Sequence, residues 1–241
     1  MPFHRLQVTA AFPYFTNKTV QNDADRGMQR ALWAIKDGKA VTIDGKQMPS
    51  SEWFVGLFKP DSRDRPFLNR ERTLVPIPTS KVTALPARRD TWTCFDIASR
   101  LAEAGYARDA RPIVLRSTAV RSSKEARSAG EEPPSVGEHV ESMTIDPHQL
   151  RGVTAITLVD DVVSAGRNAM GAFIKLRSMG FAGDVVLLAV SYTNYTPGNR
   201  EPHYGRVIWQ EGNATSFRRS LAEDDSSWVA PEVGPWTADP P

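Results

Sequence analysis

Residues 155–168 read Ala-Ile-Thr-Leu-Val-Asp-Asp-Val-Val-Ser-Ala-Gly-Arg-Asn. A short apolar run, 155–159, ends in two adjacent carboxylates, Asp160 and Asp161. The Ser164-Ala165-Gly166 turn follows, and then a helix-like segment over 167–179 with Ala169, Ala172, Phe173, Leu176 and Met179 on one face and Gly180 at its end. This order predicts a buried strand whose end carries two acids and a helix N-terminus. Unpaired backbone N–H groups and partial positive charge at such a terminus suit a phosphate. The acids suit hydroxyl groups or a magnesium ion. A phosphorylated sugar offers both. The plainer alternative is a pair of acids that ends a strand and caps the next helix.

Outward from this stretch, strands alternate with helices. Leu74-Val75-Pro76-Ile77 is an apolar run stopped by Pro78, and 112–115 is a second short strand. A helix over 96–104 places Ile97, Leu101 and Ala104 on one face, with Gly105 after it. Residues 184–190 form a further strand. These strands are continuous apolar runs, as expected where both sheet faces are covered. The expected class is therefore α/β: a parallel, Rossmann-like sheet flanked by helices, with ligands beyond the carboxyl ends of its strands.

Toward the N-terminus, 22–37 has helical spacing through Met28, Leu32 and Ile35, with Asn22 as its cap and Gly38 as its stop. Strands are expected at 40–43 and 53–58, separated by Asp44-Gly45 and Pro49-Ser50 turns. Residues 116–142 show almost no apolar periodicity and are read as a long loop, either disordered or functional. The divisions expected are a helix and strands over 1–72 (a hood or a sheet extension), a core over 73–191, an extension over 192–220 and a flexible, Pro-rich tail over 221–241.

Composition narrows the function classes. With 30 basic and 28 acidic residues the net charge is +2, too small to argue for nucleic acid or a membrane surface. Cys94 is the one cysteine, which excludes an internal disulfide and a multi-cysteine zinc site. His4, His139, His148 and His203 lack ligand spacing. No signal-peptide core and no apolar run near 18 residues is present, so a cytoplasmic protein is expected.

The 155–168 segment resembles the phosphoribosyl-diphosphate motif of the type I phosphoribosyltransferases: apolar strand, two acids, small-residue loop. Ser164 and Gly166 fit that loop, whereas Ala165 and Asn168 stand where hydroxyl residues are usual. Leu74-Val75-Pro76-Ile77-Pro78-Thr79-Ser80-Lys81 is similar to the family's diphosphate loop, in the version of the competence-associated, amidophosphoribosyltransferase-like branch. Arg88 and Arg89 precede the next helix as that branch's basic stretch does, while its zinc ribbon is excluded by the cysteine count. The resemblance covers roughly 73–191.

The resemblance implies a transferase of nucleotide metabolism that binds 5-phosphoribosyl 1-diphosphate with Mg2+. It would transfer the phosphoribosyl group to a nitrogen acceptor, a nucleobase or an amine. Asp160 and Asp161 would bind the ribose hydroxyls. The phosphate cradle would be Val162, Val163, Ser164, Ala165, Gly166, Arg167 and Asn168. Thr79, Ser80 and Lys81 would face the diphosphate, together with Arg121 and Lys124 from a mobile loop over 116–142. Magnesium would arrive on the diphosphate, with Asp160 and Asp161 as its optional protein contacts. Tyr192, Tyr195, Tyr204 and Trp209 are candidates to stack on the acceptor. A catalytically silent sensor on the same fold, acting through a protein or nucleic-acid partner, is the alternative. A homodimer is compatible with either; a membrane partner is not expected.

Overall fold

The computed structural model describes residues 3–13, 23–43, 45–58, 64–193, 203–210 and 216–219. The Asn22 cap, Tyr195 and the 221–241 tail lie outside them, as do the side chains of Lys124, Tyr204 and Trp209. The chain runs through β1 (Phe3–Pro13), α1 (Asp23–Lys36), β2 (Ala40–Ile43), β3 (Lys46–Pro49), α2 (Ser50–Leu57) and β4 (Thr73–Pro76). Next come α3 (Thr93–Glu103), β5 (Asp109–Ala110), β6 (Val114–Arg116), α4 (Ser123–Ser128), α5 (Val136–Glu141), β7 (Met143–Ile145) and α6 (Pro147–Leu150). The last elements are β8 (Ala155–Val163), α7 (Arg167–Ser178), β9 (Asp184–Tyr192), β10 (His203–Gln210) and β11 (Ser216–Arg219).

The fold is α/β. Its main sheet has the order β11-β10-β1-β9-β8-β4-β5, in which β1, β9, β8, β4 and β5 are mutually parallel. β10 and β11 extend it antiparallel beyond β1. β1 thus joins the N-terminal segment directly to the central sheet. On one face α1, α2 and α3 bury Leu32, Ile35, Phe54, Ile97 and Leu101 over Val159 and Leu188. On the other, α7 buries Ala169, Phe173 and Leu176 with Leu6, Val8, Leu158 and Leu187. Among the described residues no helix is long and apolar enough to cross a membrane.

Four expectations are corrected. Residues 53–58 are not a strand: 53–57 belong to α2 and Phe58 is its C-cap, an i,i+4 partner of Phe54 whose ring stacks on it at 5.4 Å. The segment 112–115 does not enter the main sheet: Arg111 N–H still reaches the Leu74 carbonyl at 2.9 Å, but Pro112 has no N–H to continue the ladder. Asp109 and Ala110 pair with β4 instead, while β6 pairs antiparallel with β7 in a separate ribbon. β8 does not stop before the acids but runs through them to Val163. Finally, 116–142 is not structureless, since it contains α4 and α5. Ser135 and Glu138 form a capping box that starts α5, and Val136 is buried beneath it.

Candidate functional site

Asp160 and Asp161 lie at the carboxyl end of β8, the strand between β4 and β9. Successive side chains of a regular strand point to opposite faces. Here the register passes from Asp160↔Ala189 to Val162↔Ser191 without Asp161, and each carboxylate accepts the next backbone N–H, at 3.0 and 2.7 Å. Both acids lie with the Cys94 thiol from the first turn of α3, their ligand atoms within 4.8 Å of one another. Asp160 is 8% exposed and Asp161 partly so.

Burial drives the electrostatics. It holds the Asp160 carboxyl well above its ordinary value, and the Asp161 charge adds to the effect. Asp161 is raised by burial as well, opposed by the Lys36 charge at the end of α1. The Cys94 thiol is pushed well up by burial and by both neighbouring acids. The pair therefore tends to hold a proton, which lets it donate as well as accept. A resident magnesium fits this set poorly, because that ion favours six oxygen ligands and one member here is a thiol.

At the end of β8, Val162 and Val163 lead into a turn where Ser164 and Ala165 are half-buried. Gly166 caps α7 at φ +72°, a left-handed conformation that costs glycine little. The Asn168 amide is engaged at both ends: its Oδ1 accepts from Arg116 at 2.7 Å and its Nδ2 donates to the Pro78 carbonyl at 3.0 Å. Arg167 donates to the Pro133 carbonyl at 2.7 Å. The start of α7 is therefore fastened to two other segments.

One of these is the loop after β4. Ile77 N–H bonds to the Val159 carbonyl at 2.9 Å, which lays residues 77–81 beside the acids. Trp92 closes the same loop by donating its indole N–H to the Ile77 carbonyl at 3.0 Å. Thr79 and Lys81 are exposed and Ser80 is half-buried, and the Thr79 hydroxyl accepts the Lys81 N–H at 3.3 Å.

The other segment is 116–142. Arg116, expected on a mobile loop, is instead the last residue of β6 and is 1% exposed. It donates to Thr79 O at 2.7 Å, to the Ser142 hydroxyl and to Asn168, and lies 3.4 Å from His139 Nδ1. Arg121 is exposed and forms an ion pair with Glu131. Lys124 lies in α4.

Apart from Arg121 and Lys124, the expected residues lie in three neighbouring groups at one sheet end: the acid pair, the start of α7 and the loop after β4. Cys94, His139 and Ser142 belong to this neighbourhood without having been singled out by the sequence as site residues. The Ser135-x-x-Glu138 pattern was the available signal that 135–142 folds back as a helix. Compared with known proteins, the chain matches no family model, and no curated protein or solved structure is significantly similar to it.

Proposed function

We propose that this chain is a phosphoribosyltransferase-like protein that binds 5-phosphoribosyl 1-diphosphate and transfers its phosphoribosyl group to a nitrogen acceptor. The observation that carries the reading is the juxtaposition at the carboxyl end of β8. Two convergent acids are followed by a left-handed Gly166 and the N-terminus of α7, with the loop after β4 alongside. The acids would bind vicinal ribose hydroxyls, one proton between them allowing the pair to donate and accept. The turn at 164–168 would take the 5-phosphate on backbone N–H groups.

In the reaction the anomeric C–O bond breaks, and its electron pair leaves on the diphosphate. The acceptor nitrogen forms the new C–N bond and then loses a proton. No covalent nucleophile is needed, so catalysis would rest on positioning and on charge stabilisation. Lys81 would meet the departing diphosphate, and Arg121 would do so by exchanging Glu131 for the ligand. Magnesium, when bound on the diphosphate, supplies further charge neutralisation.

Calorimetry with phosphoribosyl diphosphate and magnesium tests the assignment, with an Asp160→Asn, Asp161→Asn protein as control. Binding by the wild type and at least tenfold weaker binding by the control are expected, on the order of one lost charged hydrogen bond or more. Equal binding by the two proteins, or none by the wild type, defeats it. A silent sensor is the second reading, favoured by the engagement of Asn168 at both ends and the neutralisation of Arg121 by Glu131. Acceptor-dependent pyrophosphate release separates it from an enzyme.

A further inference from the structure

Arg116 is the largest of the fully buried side chains, and among the described residues no carboxylate pairs with it. Burying a guanidinium without a counter-charge costs several kcal/mol by general estimates. Its acceptors are neutral and come from three separate segments: Thr79 O after β4, Ser142 Oγ and His139 Nδ1 around the end of α5, and Asn168 Oδ1 in the first turn of α7. Asn168 extends the tie by donating to Pro78 O at 3.0 Å.

Two successive carbonyls, Pro78 and Thr79, are thereby drawn toward one buried hub. In a trans peptide the N–H points opposite to the C=O of the same unit. The Thr79 and Ser80 N–H groups must then point away from the hub. Neither makes a hydrogen bond among the described residues, whereas the neighbouring Ser80 carbonyl is taken by Val120 N–H at 2.9 Å. Two adjacent free N–H groups, with a buried positive charge behind them, suit an anion.

We propose that Arg116, acting with Asn168, is the positioning residue of this site: it turns the Thr79 and Ser80 amide hydrogens toward a bound diphosphate and supplies the positive field behind them. The inference rests on the proposed function for its ligand, but the tie itself can be read without one. It gives Asn168 a specific task. A threonine at 168 offers one hydroxyl in place of the separate acceptor and donor atoms that Asn168 uses here.

Wild type, Arg116→Lys, Arg116→Met and Asn168→Ala would be compared by amide hydrogen exchange and by calorimetry with inorganic pyrophosphate plus magnesium. In the free protein each variant should speed exchange selectively in 77–83 and 167–171, with β8 and β9 unchanged. Pyrophosphate affinity should fall roughly tenfold in Arg116→Lys and Asn168→Ala, as for loss of a hydrogen bond to a charged group. It should fall further in Arg116→Met, which also loses the charge; a merely structural residue would not separate lysine from methionine.

Uniformly faster exchange across β8 and β9 in Asn168→Ala, which leaves the buried arginine in place, overturns the inference. So does equal pyrophosphate binding by wild type, Arg116→Lys and Asn168→Ala. If Arg116→Met does not fold, the other two variants decide. A wild type that binds neither phosphoribosyl diphosphate nor pyrophosphate overturns the functional reading together with this one. A wild type that binds both, with variants that bind equally well, overturns this one alone.

Discussion

The acid pair and His139 are buried titratable groups with opposite consequences for stability. Burial and the Asp161 charge raise the Asp160 carboxyl above its ordinary 3.8, so the folded protein keeps a proton that the unfolded chain releases. The stability of that protonated form is complete below the unfolded value and is lost as pH rises through the folded one. Asp160→Asn removes the titration and keeps an acceptor for the Asp161 N–H. Its expected effect is a gain on the order of 1–3 kcal/mol at pH 7, read by urea denaturation; a wild type equally or more stable than the variant would sink the idea. The same variant should lose sugar binding, a trade of stability for function. For His139, burial and then the Arg116 charge lower the imidazole from 6.5 to about 4. Here the unfolded chain takes up the proton first, so stability is lost as pH falls from 6.5 toward 4. His139→Gln keeps an acceptor near Arg116 and cannot titrate. Between about pH 7 and pH 4 the wild type should lose on the order of 3 kcal/mol more than the variant. Parallel pH profiles for the two proteins would exclude a neutral buried imidazole.

At the scale of elements, the contact of α5 with α7 explains how 116–142 comes to lie against the site. Gly171 of α7 faces His139 of α5 so closely that an added Cβ would stand 2.6 Å from His139 Cβ. Gly171→Ala therefore has to push α5 away. The expected cost is about 1–3 kcal/mol in the urea midpoint, with faster amide exchange over 135–142. A neutral Gly171→Ala would mean that the two helices do not touch this way. This packing also marks the limit of what the sequence discloses. The helical period in 167–179 and the apolar run before Asp160 were plain, because each local pattern agrees with its place in the fold. Met179 was placed on the buried face yet is 55% exposed, since α7 ends at Ser178 and the chain turns away. In 116–142 the apolar residues are few, and Ala126 and Val136 share the burial with Arg116, His139 and Ser142, polar residues that a hydrophobic period cannot register. The convergence of Asp160 and Asp161 was hidden too, because it comes from local backbone geometry, in which each carboxylate accepts the next N–H, rather than from composition.

Over the whole molecule, the first strand has the greatest leverage. β1 occupies the interior of the main sheet, parallel to β9 on one side and antiparallel to β10 on the other. Its Leu6, Val8 and Ala10 are completely buried at alternate positions, and Thr9 on the opposite face is only 1% exposed. That alternation is present in Leu6-Gln7-Val8-Thr9-Ala10, but short period-two signals are weak, and only the pairing partners from the far end of the chain make it decisive. The partners are distant in sequence: Val8 meets Leu187 and Gly205. Such non-local pairing slows folding and makes the sheet depend on both ends of the chain at once. Removing residues 1–13 would expose the facing edges of β9 and β10 and lose three buried side chains. Leucine-sized losses in a core cost about 2–5 kcal/mol each, against a total stability of about 5–15 kcal/mol for an ordinary domain. The truncated protein should therefore lose its cooperative thermal transition and aggregate through the bared strands. The same segment added back as a separate peptide should restore part of the transition, because the slot between β9 and β10 is specific in register. A truncated protein that melts cooperatively near the full-length midpoint would show that the central sheet does not need β1.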